Sequence, residues 1–380
     1  MITYKNIKLD LVMKKIAFLL CAAAMLGTMT SCHRSTDDSP TVTPVVVDKS
    51  RTLIVSTNVA ADIVYEGQTI GNTTDATFSD VAAQGKLKIT PRSADYYDQD
   101  EMAIDFYDQL TLYVDVQLVK KPSIEVSQED AKNGQVVTND VENQNATGAV
   151  ATITVPSDEV VTGNTTDPYS IVTFLPAETV LESTGVGSEV EASVLVIRCK
   201  PDGAVFNPPL DVTVYIENST GFDIECVGED ESEVLPMTDL QNDTWHVKIP
   251  HFCDWFNNLR AIVVESSAGE EVTTYSIPIV AGTNTIEYKA KSGALETSTT
   301  KCRLVTSFIN RKFGKYREYT KKATFASDAA GFATVRITQP YRDVTLRSNI
   351  RHFSARVYSE PTVEIISTSS QEGHSGGSIN

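Results

Sequence analysis

Nearly every apolar run in this chain is short, alternates with polar residues, and meets a turn residue before it can become a helix. Leu53-Ile54-Val55, Ala61 to Gly71, Ala76-Thr77-Phe78, Gly85 to Thr90 and Leu110 to Leu118 set the pattern, and it continues to Val357. Runs rich in Val, Ile, Thr, Tyr and Phe, closed by Gly, Asn, Asp or Pro, are the signature of strands. After the first thirty or so residues, no stretch of ten or more holds a 3.6-residue apolar period. The pattern predicts an all-β fold: two or three tandem antiparallel β-sandwiches.

One segment departs from it. Met13-Lys14-Lys15 precedes the apolar run Ile16 to Leu26, and Gly27-Thr28-Met29-Thr30-Ser31-Cys32 follows. A basic head, a short apolar core and small residues before a cut describe a secretory signal. Eleven apolar residues are too few to cross about 30 Å of hydrocarbon, which needs about 20. A cysteine at the cut resembles the lipobox of bacterial lipoproteins. Met29 and Ser31 depart from the preferred Leu and Gly or Ala but fit the looser Bacteroidetes-type form. The resemblance implies a fatty-acylated (palmitate-type) diacylglycerol on Cys32, cleavage before it, and a membrane partner through that lipid. Translation is expected to start at Met13, with residues 1–32 as signal and 33–50 as a flexible tether. Asp37 and Asp38 resemble the acidic signal that sends such lipoproteins across the outer membrane to the cell surface, which is the expected location.

Three β units are expected beyond the tether. Residues 51–122 resemble the PEGA domain, a small β-sandwich. Ile63 to Thr73 carries the resemblance, although Val81-Ala82-Ala83-Gln84-Gly85 stands where that family has its eponymous tetrapeptide. The family implies a structural or binding module. A second sandwich is expected over 123–265. There Pro201-Asp202-Gly203-Ala204-Val205-Phe206-Asn207-Pro208-Pro209-Leu210 resembles the β-sandwich module of ankyrins and netrin receptors, which mediates protein contacts. Gly203 suits a positive-φ turn, Phe206 a core position and Pro208-Pro209 an edge. A third β unit is expected over 266–368. It would open with a hairpin of Thr273–Val280 and Thr285–Ala290 and include a strand over Cys302–Ile309. Residues 369–380 are expected to be disordered.

The formal charge is −18, and residues 1–32 carry four lysines against one aspartate, so the remaining 348 residues stand near −21. Such a chain is a poor partner for nucleic acid, whose phosphates require clustered Lys and Arg. Residues 266–380 hold fifteen Lys and Arg against ten Asp and Glu. A basic end on an acidic protein marks either a contact face or edge lysines that oppose aggregation. Cys199, Cys226, Cys253 and Cys302 allow three pairings. Cys199 and Cys226 read equally well as buried small apolar residues.

His251-Phe252-Cys253-Asp254-Trp255 is the one crowding of His, Cys and Asp. In a strand, neighbouring side chains oppose one another, and no orienting group or oxyanion hole is announced. The acidic runs Asp95–Glu101 and Glu229–Glu233 lack the ordered spacing of a calcium loop. Catalytic, metal-binding and cofactor motifs are therefore not expected, and the chain is expected to be no enzyme. The candidate ligand contacts are Tyr96 and Tyr97, together with the cation–aromatic run Lys315, Tyr316, Arg317 and Tyr319. The expected role is a lipid-anchored adhesin or scaffold with a protein partner. The alternative is a glycan-binding lipoprotein of polysaccharide uptake, and a membrane-inserting β pore is more remote.

Overall fold

The computed structural model describes residues 42–166, 168–177 and 187–370. The signal segment with Cys32, tether residues 33–41 and the tail from 371 lie outside the described residues. The described residues group as one compact unit. As expected, the described part is all-β, built almost entirely of antiparallel sheets.

The chain opens with β1 (Val46–Val47), followed by β2 (Thr52–Tyr65), β3 (Gln68–Ser79), β4 (Gln84–Pro91), β5 (Gln99–Asp105) and β6 (Thr111–Val116). β2 to β6 form a five-stranded sheet in the order β3-β2-β4-β5, with β6 running parallel to β2. Alternation along β2 sends Leu53, Val55, Ala61, Ile63 and Tyr65 into one core with Phe78, Leu87 and Ile89. Fully burying each large side chain is worth roughly 1.5–3 kcal/mol. Tyr65 pairs with Gln68 across Glu66 (φ 45°) and Gly67 (φ 82°). Two positive φ values in a two-residue loop make the hairpin turn that matches strand twist.

Two short helices, α1 (Gln128–Lys132) and α2 (Val141–Thr147), flank β7 (Val137–Thr138). β8 (Ala149–Thr154), β9 (Val160–Gly163), β12 (Ala204–Ile216), β15 (Thr238–Asp239) and β16 (Thr244–His251) join β7 in a six-stranded sheet. It faces a second layer made of β10 (Ser170–Phe174), β11 (Ser188–Lys200), β13 (Asp223–Gly228), β14 (Val234–Pro236) and the first half of β17 (Asp254–Ile279). Phe206, Phe252, Tyr169, Trp245 and Trp255 pack between the layers. Gly203 takes φ 77° and Phe206 is 3% exposed, as their residue types predict. Pro208 and Pro209 lie within β12, which is flanked on both sides, and not on an edge. The register with β16 shifts between Val205 and Leu210, so a bulge accommodates the missing donors.

Next come β18 (Gly282–Glu296), the helix α3 (Arg303–Phe313), β19 (Arg317–Ser327), β20 (Gly331–Ser348), β21 (Arg351–Tyr358) and β22 (Thr362–Ser370). The strand expected over Cys302–Ile309 is a helix. A run of eight residues does not separate the two periods. Leu304, Val305, Phe308, Ile309 and Phe313 all share one helical face and close the central core. The expected hairpin turns at the right place but does not pair. β17 bonds to β20, while β18 bonds to β19. The crossing lets Ile279 and Ile286 bury in one core with Phe325 and Val335, between the β18–β19 and β17–β20 parts of a single eleven-stranded sheet that β21 joins.

The boundary expected at residue 265 falls inside β17. Its 26 residues span about 85 Å at strand rise. β17 pairs with β11 through Val263 and with β20 from Ile262 onward, so one strand serves both the central and the last core. The later part of the expected tether is also ordered. Val46 and Val47 pair with Thr324 and Ala323, and Val42, Val45 and Val47 pack on the last core. Three valines give this segment enough apolar area to dock, which a reading of its Ser, Thr and Pro content overlooked.

Candidate functional site

The outer faces of β11, β17 and β13 form the floor of a groove of about 820 Å³. Register places Val196 beside Phe256 and Phe256 beside Val227, so an apolar stripe crosses three strands. Polar rows flank it. On one side Arg198 faces Asp254 across the ladder, and on the other Asn258 faces Ser193 and Glu225. Asp100 and Glu101 on β5, with Phe174 at the end of β10 and Pro176 and Ala177 after it, supply one wall, and Glu229, Glu231 and Val234 of the β13–β14 hairpin supply the other.

Arg198 is the best-fixed residue of the groove. Its Nε and Nη2 donate to the Asp254 carboxylate at 2.7 and 2.5 Å. The guanidinium also lies 5.2 Å from the Tyr97 ring centre and 4.9 Å from that of Phe174. Planar Arg suits both the bidentate and the stacked contact. The hydrogen bonds it donates to Asp254 hold the guanidinium above its ordinary pKa. Tyr97 thus sits where β5 and the central sandwich meet, beside a smaller adjoining recess.

Seven carboxylates line the groove. Lys86 pairs with Glu101 at 2.6 Å, Arg260 with Glu225 at 2.9 Å and Glu191 at 3.4 Å, and Arg198 with Asp254. Among the described residues Asp100, Glu229 and Glu231 have no ion pair. Ser193 Oγ and Asn258 Oδ1 on the floor have no hydrogen-bond partner. Aromatic faces and free carboxylates can hold a polyhydroxylated or cationic ligand.

The remaining candidate residues are engaged elsewhere. Lys315 bonds Asp115, and Arg317 lies 3.9 Å from the same carboxylate and 6.0 Å over the Tyr113 ring. The Tyr319 ring stands 6.3 Å from that of Tyr113, and its hydroxyl donates to Glu360 at 3.4 Å. Tyr316 donates to Glu318 at 2.6 Å and packs 5.8 Å from Tyr358. Burial pushes both Tyr316 and Tyr319 hydroxyls upward in pKa. Lys315, Arg317 and Tyr319 therefore seam β19 to β6, whereas Tyr316 faces β21. Tyr96 donates to Glu142 at 3.5 Å, away from all of these.

His251 meets Glu233 at 3.0 Å and stacks 5.1 Å from Trp255. Burial pushes the Cys253 thiol up to about 11, the opposite of an activated nucleophile. Among the described residues no cluster of three or more His, Cys, Asp or Glu is disposed to hold a metal. Sequence reasoning missed Arg198, Phe256 and Glu225. The one signal was an arginine inside the valine-rich run Val194–Ile197, a charge that a buried strand does not carry without a partner.

Comparison with protein-family models, with curated proteins and with solved structures found no match.

Proposed function

We propose that this chain is a surface lipoprotein, anchored through Cys32, that works by binding as an adhesin or scaffold, with the Arg198 groove as its contact. The observation that carries this reading is the groove floor: an apolar stripe with Phe256 at its centre, rimmed by unpaired carboxylates, on a rigid three-strand platform. Sites placed on strands hold their geometry better than sites on loops. Lipid anchoring rests on the lipobox-like segment and is tested by mass spectrometry of the membrane fraction, which should find an acylated Cys32 at the N-terminus.

A glycan ligand is the second reading. It is favoured by Tyr97 and Phe256 together with the unpaired carboxylates Asp100, Glu229 and Glu231, which suit sugar rings and hydroxyls. A glycan array probed with residues 33–380 decides between them. Sub-millimolar binding to one polysaccharide, lost in Phe256→Ala, supports the glycan reading. Binding only to host or bacterial proteins, lost in the same variant, supports the adhesin. Binding unchanged by Phe256→Ala would remove the groove from either account.

A further inference from the structure

Three thiols converge at one end of the central sandwich: Cys199 at the end of β11, Cys226 in β13, and Cys253 at the corner between β16 and β17. Each is reduced in this structure. Register separates the two candidate partners of Cys253, Cys199 and Cys226. Arg198 paired with Asp254 is the last pair of the antiparallel ladder, and Cys199 and Cys253 are the residues just beyond it on each strand. The Cys199 amide donates to the Cys253 carbonyl at 3.2 Å, which holds the two backbones side by side just beyond the ladder. Residues bonded in this way have Cα atoms about 5.5 Å apart, inside the range a disulfide spans. Cys226 is instead opposite Asn257, four residues beyond Cys253 and inside β17.

The faces agree as well. Arg198 and Asp254 meet on the groove side, while Cys199 belongs to the central core and Cys253 packs against that core. Cys253 Sγ now donates to the Asp254 carbonyl at 3.4 Å, a contact that rotation about χ1 releases. Cys253 is also only partly buried, so it can meet a reagent first.

We infer that Cys199 and Cys253 close into a disulfide when the folded protein meets an oxidant of the disulfide class. The Cys253 thiolate attacks one sulfur of the oxidant, forming a mixed disulfide and releasing one thiol. The Cys199 thiolate then attacks the Cys253 sulfur and expels the second thiol. Two thiol protons leave, and two electrons pass to the oxidant. Burial holds both thiols protonated near neutrality, so closure is slow there and quickens as pH rises. The bond would tie β11 to the corner where the chain passes from one sheet of the sandwich to the other.

The full chain is incubated with oxidised glutathione at about pH 8.5, where thiolate is more abundant, and free thiols are then alkylated. Trypsin alone leaves Cys199 and Cys226 in one stretch, because Pro201 shields Lys200, so a glutamate-specific protease is added to cut at Glu217 and Glu225. The expected result is a cross-linked pair of Cys199 and Cys253 peptides, lighter by two hydrogens than the reduced pair. Cys226 and Cys302 are recovered alkylated, and Tm rises above that of the reduced protein. In Cys253→Ala the cross-link disappears while the fold, read by Trp fluorescence, persists. Recovery of Cys199 and Cys253 both alkylated, a persistent glutathione adduct on Cys253, or a Cys226–Cys253 link would overturn the inference.

Discussion

Arg198 and Asp254 show how one pair can serve both stability and binding. The Asp254 side chain is 14% exposed, so removing its partner leaves a nearly buried, uncompensated carboxylate. Breaking such a pair costs about 3–5 kcal/mol, whereas replacing both members with apolar residues is often neutral. Arg198→Met should therefore destabilise strongly in urea denaturation, and Arg198→Met with Asp254→Leu should recover most of the loss. Equal losses in the single and double variants would show that the pair is not coupled. Asp115 makes a second case. Burial would raise its carboxyl, but hydrogen bonds from Lys315 and Ser56 outweigh that and hold it below its ordinary 3.8. A depressed carboxylate stabilises above its unfolded pKa, and that contribution is lost as pH falls through the folded value. Wild type should lose stability more steeply than Asp115→Asn below about pH 4, as measured by midpoint against pH.

At the scale of elements, alternation was enough to find the strands. β2 could be read from Leu53, Val55, Ile63 and Tyr65 because period two puts all four on one face, whichever strand lies beside it. Partners could not be read in this way. Thr273–Val280 and Thr285–Ala290 have hairpin spacing, yet their apolar residues are buried by facing one another across two parts of one folded sheet, and local sequence does not encode that choice. The groove failed for the same reason: Val196, Phe256 and Val227 become a stripe only through long-range register. Helix α3 was lost to ambiguity of period, and its packing is testable. Phe308→Ala should cost about 3–5 kcal/mol, as for a buried aromatic in a core. Thr306→Val should be nearly neutral by the same urea measurement, apart from the loss of its hydrogen bonds to Glu296 and Cys302.

For the molecule as a whole, β17 and β20 join two cores that sequence composition divides. Trp245 and Trp255 are the chain's two tryptophans, and both lie in the central core. Val335→Ala removes buried volume from the last core alone. If the shared strands make the two cores cooperative, this variant lowers the midpoint of tryptophan fluorescence as well as that of circular dichroism. A fluorescence transition left at the wild-type midpoint would mean that the cores melt separately.

The docking of Val42 to Val47 on β19 has a mechanical consequence. Any load drawn through the N-terminal segment meets this short pairing before it reaches the sheet that begins at Thr52. Val46 and Val47 offer only a two-residue ladder, with the Thr43 bonds to Ala326 beside it. A strip of that size gives way a few bonds at a time at low force, lengthening the linkage while the three cores behind it stay folded.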